Sequence, residues 1–242
     1  GHSAQATTDS SGQWIVSLEK LAAGGPHTIT IKGSSELTLK NVLVGEVWLC
    51  SGQSNMEWVV QNSDNPQKEI ANSDHPNIRH IKFPHRPSAK PEDNIPSSGW
   101  QKSEPKTVGA FTAVGYFFAR HLQAELDIPI GLIGSNWGGT RIEPWTSPSG
   151  FKSVPALKSI ADNLKNFPTV NSKGQINHQS ALALYNGMIH NFRHFNFQGA
   201  LWYQGESNRG DGMMYYEKKK ALINGWRDVF SNPDMPFLFV EL

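Results

Sequence analysis

The sequence has little cysteine, little excess charge and no long apolar run. Cys50 is the single cysteine among 242 residues, so no disulfide can form within the chain. No apolar run approaches the roughly 18 residues that a membrane-spanning helix needs. The 22 basic and 21 acidic residues leave a net charge of +1, without a basic stripe or cluster. Neither a nucleic acid nor a membrane is therefore expected as a partner.

The chain also lacks the patterns of metal centres and of leader sequences. No histidine spacing is paired with acidic partners in a way that would indicate a metal site, and no cofactor is expected. The first residues lack the apolar core of a signal peptide. The composition, 38% hydrophobic and 18% charged, is instead typical of a globular protein long enough to bury a core.

The pattern of apolar residues changes near residue 45. The first 44 residues predict a partial antiparallel β-unit with strands at 14–18, 27–31 and 37–40. Residues 45–242 predict one α/β domain, because apolar strands alternate with helical segments as in a parallel sheet covered on both faces. Its predicted strands are 46–51, 78–83, 130–135, 199–203 and 237–242. Its predicted helices are 111–126, 154–166, 179–192 and 213–230, and 60–108 is predicted as a long, mainly loop region.

Polar clusters follow three of these strands, at 52–55, 135–141 and 204–208. In open α/β sheets, ligands bind outside the carboxyl ends of the strands, where all three clusters are expected to meet. Their hydroxyls, amides and glycines suit acyl transfer. Ser54 is the predicted nucleophile, although a serine in this position could instead cap a helix.

An oxyanion hole is the second requirement of this chemistry. The Ser54 N–H could donate to it, and Gly138 or Gly139 could bring a second N–H close, although a Gly-Gly pair also suits a tight turn. Gln204 or Asn208 could add a side-chain N–H. The residues assigned to substrate binding or to support of the site are Gln53, Asn55, Trp137, Thr140, Arg141, Glu206 and Asn208.

Some of these assignments remain open between two roles. Asn55 could hold the turn at Ser54 or contact the substrate. Arg141 could meet a substrate carboxylate or pair with Glu143 or Glu206. Glu206 is expected to be a buried carboxylate that braces its loop, and Cys50 is expected to be a core residue.

Four blocks resemble one known family. They are GEVWLCSGQSNM at 45–56, IGSNWGGTRIEPW at 133–145, YNGMI at 185–189 and GALWYQGESN at 199–208. They are similar to blocks of the sialate O-acetylesterases, which lie within the SGNH hydrolase superfamily. The resemblance implies a flavodoxin-like, three-layer α/β/α sandwich, hydrolysis of acetyl esters on sugars, and a periplasmic or secreted location.

The resemblance also implies a further block, an Asp-x-x-His pair that supplies the general base. This chain ends before it, so we expect a fragment, a clipped protein or one chain of a nicked molecule, with the pair on a missing segment or a second chain. Asp74-His75-Pro76 imitates the motif but precedes strand 78–83, and a structural loop is expected there. The histidines at 178, 190 and 194 give no reason to face Ser54.

The sequence therefore predicts a serine esterase that removes O-acetyl groups from sialic acid or a related acetylated sugar. One alternative is an acetylxylan-type carbohydrate esterase. Another, of a different class, is a non-catalytic sugar-binding or scaffold protein, because a serine without its base is nearly inert.

Overall fold

The computed structural model describes all residues from 1 to 242, and these form two compact units, Gly1–Gly45 and Glu46–Leu242. In the first unit, strands β1 (Gly24–Lys32) and β2 (Glu36–Val44) pair in an antiparallel hairpin. The strand predicted at 14–18 is wrong. Those residues are irregular and expose the side chains of Trp14, Ile15 and Leu18, because no neighbouring strand takes up their backbone hydrogen bonds.

The second unit is built on a six-stranded sheet. Its strands are β3 (Glu46–Gly52), β4 (His75–Lys82), β5 (Gln101–Ser103), β6 (Ile130–Asn136), β7 (Gly199–Tyr203) and β8 (Phe237–Phe239). Their spatial order is β5-β4-β6-β3-β7-β8, and all neighbours are parallel except the edge pair β4 and β5. All five strands predicted for this region exist, although β8 is shorter than predicted.

The order of the strands places a switch point beside β3. Five strands of this sheet are parallel, and along the chain they follow as β3, β4, β6, β7 and β8. In space β4 and β6 lie on one side of β3, whereas β7 and β8 lie on the other, so the chain leaves β3 in one direction and later crosses to its opposite side. In open parallel sheets, ligands bind where the strand order reverses in this way. The loop after β3 therefore lies at the position that such sheets use for binding.

The helices of this unit are mostly short. They are α1 (Ser54–Glu57), α2 (Pro66–Ala71), α3 (Ala113–Leu126), α4 (Pro148–Lys152), α5 (Lys158–Ala161) and α6 (Met213–Val229). Helices α3 and α6 confirm two predictions. Asp127, in the left-handed region at φ 51°, ends α3, and Pro129 follows two residues later.

Two predicted helices are wrong. In the region 154–166, single turns at Pro155–Leu157 and Leu164–Asn166 flank the four-residue α5. In the region 179–192, Leu182 has φ +70°, and a π-helical segment, Tyr185–Ile189, follows. Within it, a Cβ on Gly187 would lie 1.8 Å from the carbonyl oxygen of Arg86, so close packing of two backbones shapes this segment.

The strands alternate their side chains between two cores, which makes the three-layer α/β/α sandwich. Trp48 and Cys50 of β3 pack on the α3 side, with Ala119 and Phe118. Leu49, between them, packs on the opposite side in the core that contains Leu222 and Trp226 of α6, together with the π-helical segment. This period of two is what a strand buried on both faces requires.

The region 60–108 was predicted mainly as loop and contains more structure than that. It holds α2, β4 and the antiparallel edge strand β5, and single helical turns at Val60–Asn62 and Val108–Ala110. Strand β4 was predicted at 78–83, whereas the polar and proline-rich sequence hid α2, β5 and the two helical turns. None of the helices is both long and apolar enough to cross a bilayer.

Candidate active site

Backbone contacts fix the ends of β3, β6 and β7 to one another. The N–H of Trp137 donates to Gly52 O at 3.0 Å, and the N–H of Gln53 donates to Tyr203 O at 2.9 Å. Gly52 has φ +136°, and a Cβ there would lie 2.2 Å from Tyr203 O. Only glycine fits this close approach, so the three polar loops meet as predicted from their positions after the strands.

Ser54 is the exposed first residue of α1, directly after this junction. A Cβ on Gly138 would lie 3.4 Å from the Cβ of Ser54, so the second polar loop runs directly past the serine. The backbone N–H groups of Ser54 and Gly139 have no hydrogen-bond acceptor within the protein. Gly139, at φ +74°, is also exposed. Two unpartnered donors therefore lie in the loops that meet at the Ser54 hydroxyl.

The other two predicted oxyanion donors have partners in the protein. The N–H of Gly138 donates to Glu57 Oε2 at 2.8 Å. The buried amide of Gln204 donates to Thr140 O at 3.0 Å and to Asn208 Oδ1 at 2.8 Å. These bonds make Gly138 and Gln204 supports of the site in this structure, because neither has a free N–H to offer a ligand.

Glu57, one turn after Ser54 on α1, connects this helix to two other elements. We call Glu57, Lys82 and His85 the Glu57 cluster. Lys82 Nζ lies 3.1 Å and His85 Nε2 2.6 Å from Glu57 Oε1, and Lys82 also bonds to Asn136 Oδ1. Burial of the carboxyl raises the pKa of Glu57, but the hydrogen bond from His85, the charge of Lys82 and the Gly138 N–H together lower it to about 2. Glu57 is thus an ionised carboxylate beside Ser54.

Trp137 lies between two imidazoles. Its ring stacks on His85 at a centroid distance of 4.4 Å and on His178 at 4.7 Å, with interplanar angles of 2° and 14°. Both faces of the indole are covered, so Trp137 supports the site and has no face free to stack on a sugar ring. His178 was not predicted to face Ser54, but in the structure it stacks directly on Trp137 of the second polar loop.

Side-chain hydrogen bonds join the loops after β3 and β7. The buried side chain of Gln53 accepts from the N–H groups of Gly205 at 3.4 Å and Ser207 at 3.3 Å. Asn55 donates to Glu206 Oε1 at 2.6 Å, so it holds the turn. Glu206 braces its loop as predicted, but the prediction that it is buried is wrong: it is exposed, because its partner lies at the mouth of the site.

Arg141 belongs to a paired network that we call the Arg141 cluster: Arg141, Glu143, Asn208, Asp211 and Lys218. Arg141 Nη2 lies 3.2 Å from Glu143 Oε1 and 3.0 Å from Asp211 Oδ1. Lys218, with a side chain only 10% exposed, lies 2.5 Å from Glu143 and 2.6 Å from Asp211. Asn208 donates to both carboxylates. Of the two roles left open for Arg141, the structure shows the pair with Glu143.

The cluster is linked to the polar loops through two buried side chains. Asn208 Oδ1 also accepts from the N–H of Ile142 at 2.9 Å. Thr140 is buried, and its hydroxyl donates to Trp137 O at 2.8 Å.

Cys50 of β3 is a fully buried core residue, as predicted. Burial raises the pKa of its thiol to about 12. The thiol is therefore protonated and unreactive.

A cavity of about 590 Å³ opens next to the Glu57 cluster. Its lining combines that cluster with the segments after β4 and before β5: Glu57, Lys82, Phe83, Pro84, His85, Pro96, Ser97 and Ser98. No group of three or more His, Cys, Asp and Glu side chains is arranged to hold a metal ion. The groups that the described site presents are hydroxyls, amides, imidazoles and carboxylates.

The Glu57 cluster was not predicted from the sequence. Glu57 could have been found, because a carboxylate three residues after a candidate nucleophile lies near it on a helix. His85 and Lys82 gave no such signal, since they reach the site only through the position of β4 two strands away from β3.

Comparisons with known proteins agree with this architecture. A family model described as "SASA: Carbohydrate esterase, sialic acid-specific acetylesterase" matches residues 44–242. The sialate O-acetylesterase of Homo sapiens is 34% identical over 233 residues, which is 90% of this chain and 43% of that protein. That of Mus musculus is 31% identical over 274 residues, 96% of this chain and 50% of that protein. The crystal structure of a carbohydrate acetylesterase from Xanthomonas citri superposes with a TM-score of 0.83 at 36% identity, covering 97% of this chain and 50% of that chain.

The three-layer sandwich with its polar loops at the strand ends is an α/β fold of the SGNH type. The chain belongs to the sialic acid-specific acetylesterase family of carbohydrate esterases. It spans about half the length of the curated relatives that it matches.

Proposed function

We propose that this chain carries the nucleophile of a serine esterase that removes O-acetyl groups from sugars. The observation that supports it most directly is the setting of Ser54. The residue is exposed, it adjoins Gly138, and the free N–H groups of Ser54 and Gly139 lie in the loops that meet there. A free hydroxyl next to unpartnered backbone donors is the arrangement that acyl transfer needs.

In the proposed reaction the Ser54 hydroxyl attacks the acetyl carbonyl carbon. The negative charge that develops on the carbonyl oxygen is stabilised by the N–H groups of Ser54 and Gly139. The sugar leaves as an alcohol, and water then releases acetate from the acyl-serine. Gly138, Gln204 and Thr140 hold the loops in place through the hydrogen bonds described above.

A general base must take the serine proton. No hydrogen bond joins a histidine of this chain to the Ser54 hydroxyl, and His85 Nε2 is hydrogen-bonded to Glu57 Oε1. We propose that the base is the histidine of an Asp-x-x-His pair supplied by a segment or second chain other than residues 1–242. A periplasmic or secreted location belongs to the same proposal, because acetylated glycans are met there.

The substrate we propose first is an O-acetylated sialic acid, which the family description and the names of the curated relatives support. An acetylxylan-type substrate is the second candidate. The pairing of Arg141 with Glu143 and Asp211 favours it, since that guanidinium is already engaged and a sialate carboxylate would have to compete for it. Acetate release from 9-O-acetyl sialic acid and from acetylated xylan, measured side by side, separates the two.

The nucleophile is tested by Ser54→Ala in the full-length protein with 4-nitrophenyl acetate as substrate. We expect kcat to fall by at least about 10³-fold, because the acyl-serine can no longer form. Ser159→Ala, an exposed serine on α5, is the matched control and should keep its activity. If the Ser54→Ala protein turns over the ester at the wild-type rate, the assignment is wrong. If the wild-type protein has no esterase activity, a non-catalytic sugar-binding role becomes the better hypothesis.

A further inference from the structure

The cavity beside the Glu57 cluster is adjacent to the proposed nucleophile. Glu57 lines it, and Glu57 Oε2 and the Cβ of Ser54 each lie 3.4 Å from the position that a Cβ on Gly138 would occupy. A ligand whose ester reached Ser54 would therefore have its neighbouring atoms at the mouth of this cavity. Its volume of about 590 Å³ is within the range of small-molecule sites in proteins, roughly 300–1,000 Å³.

The charges that face the cavity cancel. The ammonium of Lys82 is paired with Glu57 at 3.1 Å, and its further bonds go to Asn136. The cavity therefore offers no unpaired cation to a carboxylate or phosphate. An anionic group placed here would find no net positive charge to offset the loss of its hydration.

The remaining lining suits an uncharged group with hydroxyls. His85 Nδ1 and the Ser98 hydroxyl have no hydrogen-bond partner in the protein, so both are free for a ligand. Phe83, Pro84 and Pro96 provide apolar surface beside them. A few polar groups set among apolar walls fix the orientation of a small ligand, and a sugar presents both C–H faces and hydroxyls to such walls.

We propose that this cavity binds the uncharged, hydroxylated part of the acetylated sugar next to the scissile ester, as the leaving-group subsite. The inference rests on the proposed function of Ser54. It assigns His85 and Ser98 to substrate recognition. A sialic acid would place its polyol chain here and its carboxylate elsewhere, whereas a xylan-type substrate would place a pyranose ring here.

The test fills the cavity without touching the reacting atoms. In the full-length protein Ser98→Trp, on an exposed loop, adds a bulky side chain to the lining. We expect kcat/KM for 9-O-acetyl sialic acid or for acetylated xylo-oligosaccharides to fall by about tenfold or more, mainly through KM. The diagnostic quantity is the ratio of kcat/KM for the sugar ester to kcat/KM for 4-nitrophenyl acetate, an acetyl ester with no sugar. This ratio should fall by about fivefold or more, since 4-nitrophenyl acetate has no sugar to place in the subsite.

Two controls keep the result interpretable. Ser159→Trp adds the same side chain on α5, outside the cavity lining, and should change neither activity. Ser97→Trp adds the same side chain at the neighbouring lining position and should reproduce the effect of Ser98→Trp. It serves as the test if Ser98→Trp folds poorly.

Unchanged kinetics on both sugar esters in both filled variants would overturn the subsite. Equal losses on sugar esters and on 4-nitrophenyl acetate would also overturn it, because the change would then lie in the chemistry. Failure of the Ser54 proposal gives a different pattern, with 4-nitrophenyl acetate turnover that survives Ser54→Ala.

Discussion

The two charged networks near the strand ends differ in how completely they are paired. The Arg141 cluster brings two cations, two carboxylates and an amide together, and its carboxylates keep only 13% and 15% of their side-chain surface exposed. The Glu57 cluster has one carboxylate between Lys82 and His85, is more open, and lines the cavity beside Ser54. The first network joins the loop after β6 to the loop after β7 and to α6, whereas the second lines the cavity. Similar residue types thus form a closed brace in one place and, in the proposal above, part of a ligand subsite in the other.

The largest effect on stability is expected from breaking the brace. Lys218→Met should lower the free energy of unfolding by about 3 kcal/mol, because it leaves Glu143 and Asp211 with one cation between them in a nearly buried setting. Denaturant unfolding of the purified chain measures this. Lys220→Met removes an exposed ion pair with Glu217 and should cost less than about 0.5 kcal/mol. Equal losses in the two variants would contradict the idea that the Arg141 cluster is a brace.

A smaller but functionally sharper effect is expected from the Glu57 cluster. Glu57→Gln keeps the size of the side chain but weakens its hold on the Gly138 N–H, on Lys82 and on His85. We expect kcat for 4-nitrophenyl acetate to fall by roughly 10- to 100-fold, since Gly139 and its free N–H would no longer be held in place.

The control is the stability of the same protein. Glu57 acts here as a positioning residue, so the loss should appear in kcat while KM changes little. A fall in activity that simply follows a loss of folded protein at the assay temperature would show that Glu57 has only a structural role.

The smallest effect is a dependence on pH. The pKa of Glu57 is about 2 in the folded chain, whereas an ordinary Glu carboxyl has 4.5. Because the folded value is the lower one, the stabilisation is complete above 4.5 and is lost as the pH falls towards 2. Denaturant midpoints across this acid range should therefore fall less steeply in Glu57→Gln than in the wild type. Parallel curves would mean that the carboxylate is not held in its ionised form as described.

Much of the sheet could be predicted from the sequence, because apolar strands bounded by glycine and polar residues carry a local signal. The strand at 199–203 and the helix at 213–230 were placed to within a residue. The segment 179–192 could not be predicted, since its π-helical form depends on the close approach of Gly187 to Arg86, a contact between distant parts of the chain. Local periodicity contains no information of that kind.

The candidate site was likewise predicted from the sequence only in part. Ser54, Gly139 and the loops around them follow from their positions at the ends of strands. The engagement of Gly138 and Gln204 could not be foreseen, because their acceptors are side chains and carbonyls that only the folded loops bring near. The same applies to the covering of Trp137 by His85 and His178, which are far apart from each other in the sequence.

Gly52 has a consequence for how this scaffold could change. Main-chain contacts of Gly52 and Gln53 with Tyr203 and Trp137 fix the end of β3 directly before Ser54. Residues that face the cavity, such as Ser97 and Ser98, lie on a separate exposed segment. On the proposals above, exchanging those residues would change the preference for one glycan or another while Ser54 keeps its position.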